Sequence, residues 1–288
     1  MTHGPLTRPS ATLSQRERVL KLAELLYRGV NRVRRALYRA GLLKPKRLPV
    51  PVISIGAIAA GGSGKTPAVI AIAGALAQRG LRVGVLTRGY RRAGEGGVID
   101  TLDPDRFGDE PVLIKKRLPS VEVIVGTNRY DNAIRKSVDV FVLDDGYQHL
   151  QLYRDLDVVI DSPGGFLREG RSALRYAGMV LRRDIRPIVP EGLRGKRIFA
   201  FAGLADNRQF FESLGLNLVG TRSFPDHHRY AASDLDEIKG LARAAEADAI
   251  VTTEKDAVKI SDPQIIAIPA DFVIDPASLE RIVAAASQ

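Results

Sequence analysis

The stretch VPVISIGAIAAGGSGKTPAVIAIAGALAQRG (residues 50–80) decides the fold. Its Val- and Ile-rich start, residues 50–56, predicts a buried strand, and residues 67–80 predict a helix. The glycine-rich turn between them matches the end of the phosphate-binding pattern G-x-x-x-x-G-K-[ST], although Ala59 stands where the first glycine belongs. This order of strand, turn and helix predicts a P-loop, while a glycine-rich turn that merely precedes a helix remains the alternative.

The loop also supplies the candidate nucleotide-binding residues. Backbone N–H groups of the turn and of the helix N-terminus would point at phosphate oxygens. Lys65 would contact the β- and γ-phosphates, and the Thr66 hydroxyl would ligate Mg²⁺, so we predict ATP and Mg²⁺ as cofactors. Ala60 replaces the lysine that partitioning-type ATPases carry in K-G-G-x-G-K-[ST], which argues against that class. The predicted ATP-binding residues are Ala59, Ala60, Gly61, Gly62, Ser63, Gly64, Lys65 and Thr66.

Short apolar runs alternate with helical patterns along the rest of the chain, which is typical of an α/β fold. The runs lack strict alternation, as do strands that are buried on both faces of a parallel sheet. Further strands are predicted at 82–89, 121–126, 138–146 and 156–162. The alternation restarts at 198–203 and continues through 248–260 and 265–274. We therefore predict a P-loop NTPase-like parallel sheet with helices on both faces, plus a smaller C-terminal α/β domain. The predicted segments are an N-terminal helix (1–47), the P-loop domain (48–185), a linker (186–196) and the C-terminal domain (197–288).

The positive charge is concentrated at the N-terminus. The chain of 288 residues has a net charge of +10, and residues 1–47 carry all of it, with twelve Lys and Arg against two Glu. The remainder has no net charge, which argues against a continuous basic surface that binds nucleic acid. Cys is absent and there are only four His, which excludes disulfides and argues against a His-rich zinc site.

Residues 1–47 show the pattern of a long amphipathic helix. At 100° per residue, one face is apolar and the opposite face is basic. No apolar run approaches the roughly 20 residues that span a bilayer. Two interpretations stay open, namely a helix packed on its own domain and a helix lying in an anionic membrane interface. The apolar face consists of Val19, Leu22, Leu26, Val30, Val33 and Leu37, and the basic face of Arg18, Lys21, Arg28, Arg32, Arg35 and Arg39.

Three acidic clusters are candidates for chemistry. Asp144 and Asp145 end a predicted strand, which is where P-loop proteins hold Mg²⁺. GDEP (108–111) is predicted to be an acid pair in a loop, and FPDHH (224–228) places two of the four His beside a carboxylate. An Asp–His pair can tune a proton acceptor. Acids at strand ends can also be turn formers, so these clusters do not establish a function by themselves.

Taken in order, these stretches resemble the tetraacyldisaccharide 4′-kinases of lipid A biosynthesis. The resemblance covers roughly residues 15 to 262 and rests on eight short motifs. They are GGSGKTP (61–67), LTRGYRR (86–92), GDEP (108–111), DDGYQH (144–149), PGGFLREG (163–170), FAGL (201–204), FPDHHRY (224–230) and TTEKDAVKI (252–260).

This resemblance implies transfer of the ATP γ-phosphoryl group to the 4′-hydroxyl of a tetraacylated glucosamine disaccharide phosphate, giving lipid IVA. The reaction would take place at the cytoplasmic face of the bacterial inner membrane, with an anionic surface contacted by the N-terminal helix. Asp109 matches the family's catalytic base, and His227, beside Asp226, matches the histidine that pairs with it. The remaining implied residues are Arg168 for phosphate charge, Thr66, Asp144, Asp145 and Glu169 for the metal, and Glu110, Arg129 and Gln148 as further active-site positions.

The chain departs from the family pattern in two places. Ala57 follows Gly56 where the family has Asn, and the segment before Arg168 and Glu169 is several residues shorter than usual. Two other functions stay open at this point. One is a soluble P-loop ATPase that acts as a switch or chaperone and binds a protein partner, which the sequence does not identify, through its N-terminal helix. The other is a kinase-like fold that serves as a binding module.

Overall fold

A computed structural model of the chain describes residues 15–89, 94, 96–162 and 166–288. Its larger sheet has seven strands, and all neighbours are parallel except the first pair. In spatial order they are β4 (Gly97–Val98), β5 (Glu122–Val125), β3 (Val83–Thr87), β6 (Val140–Asp144), β1 (Val52–Ala57), β7 (Leu156–Asp161) and β9 (Met179–Arg182). The predicted α/β class with a mainly parallel P-loop sheet is confirmed.

Helix α2 (Lys65–Gln78) leaves the glycine loop and packs across this sheet. It is rich in Ala, Ile and Val, and six of its side chains are buried. Ile53 and Ile55 of β1 and Ile72 and Leu76 of α2 share one core and are fully shielded from solvent. The other helices that follow strands of this sheet are α3 (Pro104–Phe107), α4 (Asp109–Arg117), α5 (Arg129–Ala133) and a 3₁₀ turn, Arg171–Tyr176.

A second, four-stranded parallel sheet forms the other layer. Its spatial order is β12 (Asn217–Ser223), β11 (Arg197–Ala202), β13 (Ala249–Thr253) and β14 (Ile265–Ile268). Phe199 and Phe201 of β11 pack with Phe224 in a core separate from that of the first sheet. The associated helices are α6 (Asn207–Ser213), α7 (Ala232–Ala244) and α8 (Glu254–Ala257).

The two sheets are joined by an antiparallel pair, β10 (Ile185–Pro187) and β15 (Ala270–Phe272). After β15 the chain returns to the first sheet, where helix α9 (Pro276–Ala286) places Ile282 in the core around α2. The predicted C-terminal domain (197–288) stays a prediction, and its last helix packs in the core of the first sheet. The periodicity of α9 predicts an apolar face but does not indicate which sheet covers it. The division near 186–196, which holds β10 and a 3₁₀ turn (Glu191–Leu193), stays a prediction.

Helix α1 (Gln15–Arg39) is a single element of 25 residues, as its periodicity predicts. Its leucine and valine face is exposed, with Leu22, Leu26 and Val33 each about 60% accessible. Arg35, assigned to the basic face, is instead buried against the P-loop domain. Within the described ranges no helix combines the length and the apolar character that crossing a bilayer requires.

Two further differences concern elements and coverage. The sequence reasoning missed the short strand β9 and the strand β12; β12 carries exposed polar side chains that weaken the apolar pattern. GDEP, predicted as a loop, instead begins helix α4 with Asp109 and Glu110 in its first turn. Residues 1–14, 90–92 of LTRGYRR and 163–165 of PGGFLREG lie outside the described residues.

Candidate active site

The glycine loop has the backbone shape of a phosphate cradle. Gly61, Gly62 and Gly64 have φ of 75°, 54° and 80°, in the left-handed region that residues with a Cβ adopt at a cost. Helix α2 begins at Lys65, and no side chain caps its first turn. The N–H groups of that turn therefore remain available for an anion. Before the loop, β2 (Ala59–Ala60) pairs with β8 (Phe166–Leu167), which fastens it to the segment that leads into Arg168.

Asp145 contacts the cationic side chains of Lys65 and Arg168 next to this loop. Two oxygens of its carboxylate accept hydrogen bonds from Arg168 at 2.8 and 2.6 Å, and Lys65 Nζ lies 3.5 Å from Oδ1. Lys65 also donates to the Ser63 hydroxyl at 2.9 Å. Burial by itself would raise the pKa of Asp145, but the charges of Lys65 and Arg168 outweigh burial and lower it. Asp145 is therefore a carboxylate whose charge is balanced by the protein.

Asp144, one residue earlier, is compensated less, because the Thr87 hydroxyl and the charge of Lys65 lower its pKa by less than burial raises it. Its side chain is almost fully buried at the end of β6 and accepts one hydrogen bond, from the Thr87 hydroxyl at 2.8 Å. Burial raises the pKa of Asp144 to about 6, and the charges of Asp145 and Glu110 add to this. Two adjacent carboxylates, one of them unbalanced, form a place where a divalent cation would be stabilised.

Glu169 does not join these acids. Arg35 of α1 donates to both of its oxygens, from Nε at 3.0 Å and from Nη2 at 2.7 Å, and Gln148 donates to Oε1 at 3.2 Å. Both partners of the ion pair are less than a tenth exposed. The role of Glu169 as a metal ligand therefore stays a prediction, and in this structure its carboxylate holds α1. No group of three or more His, Asp or Glu suited to a metal occurs among the residues that the structure describes. For Mg²⁺ this is no obstacle, because one or two carboxylates plus phosphate oxygens usually suffice.

The second cluster contains the predicted base. His227 Nδ1 lies 3.0 Å from Asp109 Oδ2, so the first turn of α4 and the turn after β12 meet there. His227 has φ of 60°, an uncommon conformation for this residue type that persists only where its surroundings enforce it. Asp109 and His227 also line a cavity of about 280 Å³. The two residues of the predicted pair are thus brought together.

Two lysines from α8 and the turn after it complete this cluster, and the sequence reasoning gave them no role. Lys259 Nζ lies 3.7 Å from Asp109 Oδ2 and 2.8 Å from Asp256, while Lys255 Nζ lies 3.1 Å from Asp226 and 3.3 Å from Glu110. Burial would raise the pKa of Asp109, but the His227 hydrogen bond and both lysines lower it overall. TTEKDAVKI was recognised as a motif, yet nothing in its spacing shows that its lysines point towards GDEP.

The remaining predicted residues lie around these clusters. Arg129 is buried at the start of α5 and donates to the Thr127 carbonyl at 3.4 Å. Gln148 donates to the Ala57 carbonyl at 2.9 Å, which ties DDGYQH to the strand before the loop. Glu110 links the two clusters, because it contacts Lys255 and also raises the pKa of Asp144. Thr66 lies in the first turn of α2, next to Lys65.

Comparisons with known proteins agree with this architecture. The profile of the family described as LpxK, Tetraacyldisaccharide-1-P 4′-kinase, matches residues 16–192 and 189–288. A Tetraacyldisaccharide 4′-kinase from Anaeromyxobacter sp. (strain Fw109-5) is 40% identical, with 88% of this chain and 86% of the relative covered. One from Pelobacter propionicus is 38% identical, with 82% and 81% covered.

A solved structure extends the comparison to three dimensions. The crystal structure of LpxK from Aquifex aeolicus, described as an "apo" form in complex with ATP at 2.2 Å, superposes with a TM-score of 0.77. Its sequence is 28% identical, and the match covers 94% of this chain and 99% of the other. The relatives named here are kinases, so the alternatives of an ATPase switch and of a binding module are not favoured. Profile, relatives and structure agree over most of the chain, and the protein belongs to the tetraacyldisaccharide 4′-kinase family.

Proposed function

We propose that the protein transfers the γ-phosphoryl group of ATP to the 4′-hydroxyl of tetraacyldisaccharide 1-phosphate and so forms lipid IVA. The contact between Asp109 and His227 carries this proposal, because it pairs a carboxylate with a histidine in a chain of this family that also has a phosphate loop. Phosphoryl transfer depends on alignment and charge neutralisation more than on covalent participation of the enzyme. The cluster around Asp109 would align the acceptor hydroxyl, and the glycine loop with its acidic pair would neutralise charge.

Asp109 would take the proton of the sugar hydroxyl. Its low pKa keeps it ionised at neutral pH, and the Nδ1 contact with His227 fixes one oxygen so that the other can face the acceptor. Lys255 holds Asp226 and Glu110 in place around the histidine. A carboxylate oriented in this way can accept a proton as the hydroxyl attacks.

Lys65 and the N–H groups of the loop would bind the phosphates, as they do in other P-loops. The Aquifex relative is described in complex with ATP, which supports the same ligand here. Asp144, Asp145 and the Thr66 hydroxyl are the residues that would hold Mg²⁺, and the unbalanced charge of Asp144 fits such an ion. Bound there, Mg²⁺ would neutralise charge on the phosphate oxygens.

A cluster of arginines around His149 suits an acceptor that itself carries a phosphate. Burial and then the charges of four arginines lower the pKa of His149 to about 4, so the ring is neutral while its neighbours are positive. These arginines come from α1, from the segment after β3, from α5 and from the turn before β7, and they are Arg34, Arg88, Arg129 and Arg154. Arginine side chains are well suited to phosphate oxygens.

Helix α1 would dock on the cytoplasmic face of the bacterial inner membrane, where the lipid acceptor lies. Its exposed Leu22, Leu26, Val30 and Val33 form an apolar face of the kind that partitions into an interface. Nearby arginines and lysines would add attraction to anionic lipids, about 1 kcal/mol for each charge near the surface. Protein partners and a nucleic-acid ligand are not part of this proposal.

The kinase proposal is tested by incubating the protein with γ-labelled ATP and tetraacyldisaccharide 1-phosphate. We expect a labelled lipid product that depends on Mg²⁺ and on Asp109. An enzyme that is folded and binds ATP but yields no labelled lipid would contradict the proposal.

The membrane proposal needs point substitutions, because deleting α1 would also remove Arg35 from the buried Glu169. We expect Leu22→Ser, Leu26→Ser and Val30→Ser together to abolish flotation with anionic vesicles while the melting temperature is kept. Exposed Leu102→Ser, outside α1, is the matched control. Unchanged flotation of the triple variant would exclude α1 as the docking element.

A further inference from the structure

Arg183 lies directly beside the glycine loop but belongs to none of the motifs. It follows strand β9, and its backbone N–H donates to the Asp161 carbonyl of neighbouring β7 at 3.2 Å. A Cβ added to Gly64 would lie 3.5 Å from Arg183 Cγ and 2.6 Å from Ile185 Cδ1. The arginine stem is therefore packed against the loop at the residue that precedes Lys65.

The guanidinium of Arg183 lacks the partners that the other cations of the loop possess. Lys65 and Arg168 both contact Asp145. Arg183 Nε, by contrast, is shielded from solvent and has no hydrogen-bond partner within the described residues, nor does its side chain form an ion pair there. Burying an unpaired charged group is unfavourable, and buried polar atoms of this kind are uncommon in folded proteins. In keeping with this, burial lowers the pKa of Arg183.

A second segment also approaches the glycine loop. Ala205, which precedes α6, has its Cβ 3.6 Å from the place of a Cβ on Gly61. The next residue, Asp206, is the acid whose charge acts on Arg183, although its carboxylate already caps α6 by accepting from the Gln209 N–H at 3.1 Å. Arg183 and this segment therefore both lie near a ligand that the loop would hold.

We propose that Arg183 is a nucleotide-binding residue whose guanidinium donates to phosphate oxygens of the nucleoside triphosphate held by the glycine loop. The inference rests on the proposed function for the position of that ligand. A guanidinium presents several N–H donors in a rigid fork that matches phosphate geometry. Phosphate binding would satisfy the buried Nε, and the polyphosphate would supply a direct ion pair, which no described residue forms with Arg183. The alternative is a structural pair between Arg183 and Asp206.

The test measures binding of a fluorescent ATP analogue and of ATP itself to the full chain, without lipid. We expect Arg183→Gln to weaken ATP binding about ten-fold, because a hydrogen bond to a charged group contributes about 1.5 kcal/mol or more. Arg183→Lys keeps the charge but loses the forked N–H donors of the guanidinium. Its ATP affinity should lie between those of Arg183→Gln and the native protein. The matched control is Arg182→Gln, since this neighbouring arginine is exposed. Equal affinity of Arg183→Gln and the native protein would overturn the proposal.

Melting temperatures separate ligand binding from a structural role. Because the unpaired charge is unfavourable in the folded state, Arg183→Gln should melt no lower than the native protein and should gain less from added ATP. If Arg183→Gln and Asp206→Asn both melt lower and both bind ATP normally, the residue is a structural partner of Asp206 and the proposal is wrong.

Two further comparisons between nucleotides show which part of the ligand Arg183 contacts. A phosphate contact predicts that Arg183→Gln weakens ATP and GTP alike and weakens ADP less than ATP. A loss confined to ATP would place the guanidinium on the base and overturn the phosphate assignment. If the native protein binds no nucleotide, this inference and the proposed function both fail. If it binds ATP through Arg183 but phosphorylates no lipid, only the proposed function fails.

Discussion

Asp109 and Asp144 are both largely withdrawn from solvent, yet their carboxyl groups behave in opposite ways. Asp109 keeps 15% of its side chain exposed and has a lowered pKa. Asp144 is 7% exposed, and burial raises its pKa to about 6. Asp144 is the more deeply buried of the two, and at Asp109 the His227 hydrogen bond and two lysines also outweigh the effect of burial.

Asp109 receives its partners from the second sheet. His227 approaches it from the turn after β12, Lys255 from α8 and Lys259 from the turn after α8. Asp144 lies beside Lys65 and Arg168, but Asp145 already uses both. We infer that the proposed base is completed by the protein itself, whereas the acidic pair would take a cation from outside.

The largest effect is expected at Asp109. Asp109→Asn keeps the shape but cannot take a proton, so kcat should fall by about 10²- to 10⁴-fold, the usual contribution of a general base. ATP affinity should be unchanged. Steady-state kinetics with a fluorescent nucleotide titration checks both, and retained turnover would show that the base lies elsewhere.

Substitution of Arg35 tests whether its ion pair with Glu169 holds helix α1 in place. Arg35→Ala leaves Glu169 buried without its partner, which should lower the free energy of unfolding by about 3–5 kcal/mol. Urea denaturation measures this, with exposed Arg32→Ala as the control from the same helix. Adding Glu169→Gln should restore part of the loss. Equal effects of Arg35→Ala and Arg32→Ala would mean that the ion pair does not hold α1.

Asp144→Asn should stabilise the metal-free protein. The folded pKa of about 6 lies above the ordinary value of 3.8, so this group favours the folded state at low pH and loses that contribution as pH rises through about 6. At about pH 7 the amide should therefore add on the order of 3 kcal/mol, and this gain should vanish below the unfolded pKa.

Thermal melting with and without Mg²⁺ measures how Asp144→Asn changes the stability and the stabilisation by the ion. Mg²⁺ should stabilise the native protein more than Asp144→Asn, because the ion then loses one carboxylate. Asp161→Asn, which removes a carboxylate paired with exposed Arg171, is the control. A native protein that gains no stability from Mg²⁺ would contradict the idea that Asp144 awaits a cation.

The smallest effect is expected at Lys259. Lys259→Met removes a charge 3.7 Å from Asp109, so the pKa of Asp109 should rise and the acid limb of the kcat profile should move to higher pH. Both side chains are less than a fifth exposed, so the shift should be about one pH unit, or about ten-fold in rate at the acid end. Lys239→Met, which breaks an ion pair with Asp262 remote from the motif acids, is the control. Identical profiles for both variants would remove Lys259 from the site.

Much of the fold could be predicted because its signals are local. The Val- and Ile-rich strands β1, β3, β5, β6 and β7 appear close to their predicted bounds. Elements whose pattern is weak or short, such as β12 and β9, were missed. The position of α9 could not be predicted either, because an apolar helix face does not specify which sheet it covers.

The sequence by itself determined the glycine loop, the strand that ends at Asp144, the N-terminal charge excess and the membership of a kinase family. Only the tertiary structure decided that Asp109 meets His227 across 118 positions, that Arg35 holds Glu169 across 134, and that Arg183 lies beside Gly64. The physical reason is the separation along the chain over which each kind of interaction acts. Hydrophobic periodicity and backbone preference act over a few residues, whereas the partner of a buried charge is fixed by how two sheets and a helix pack.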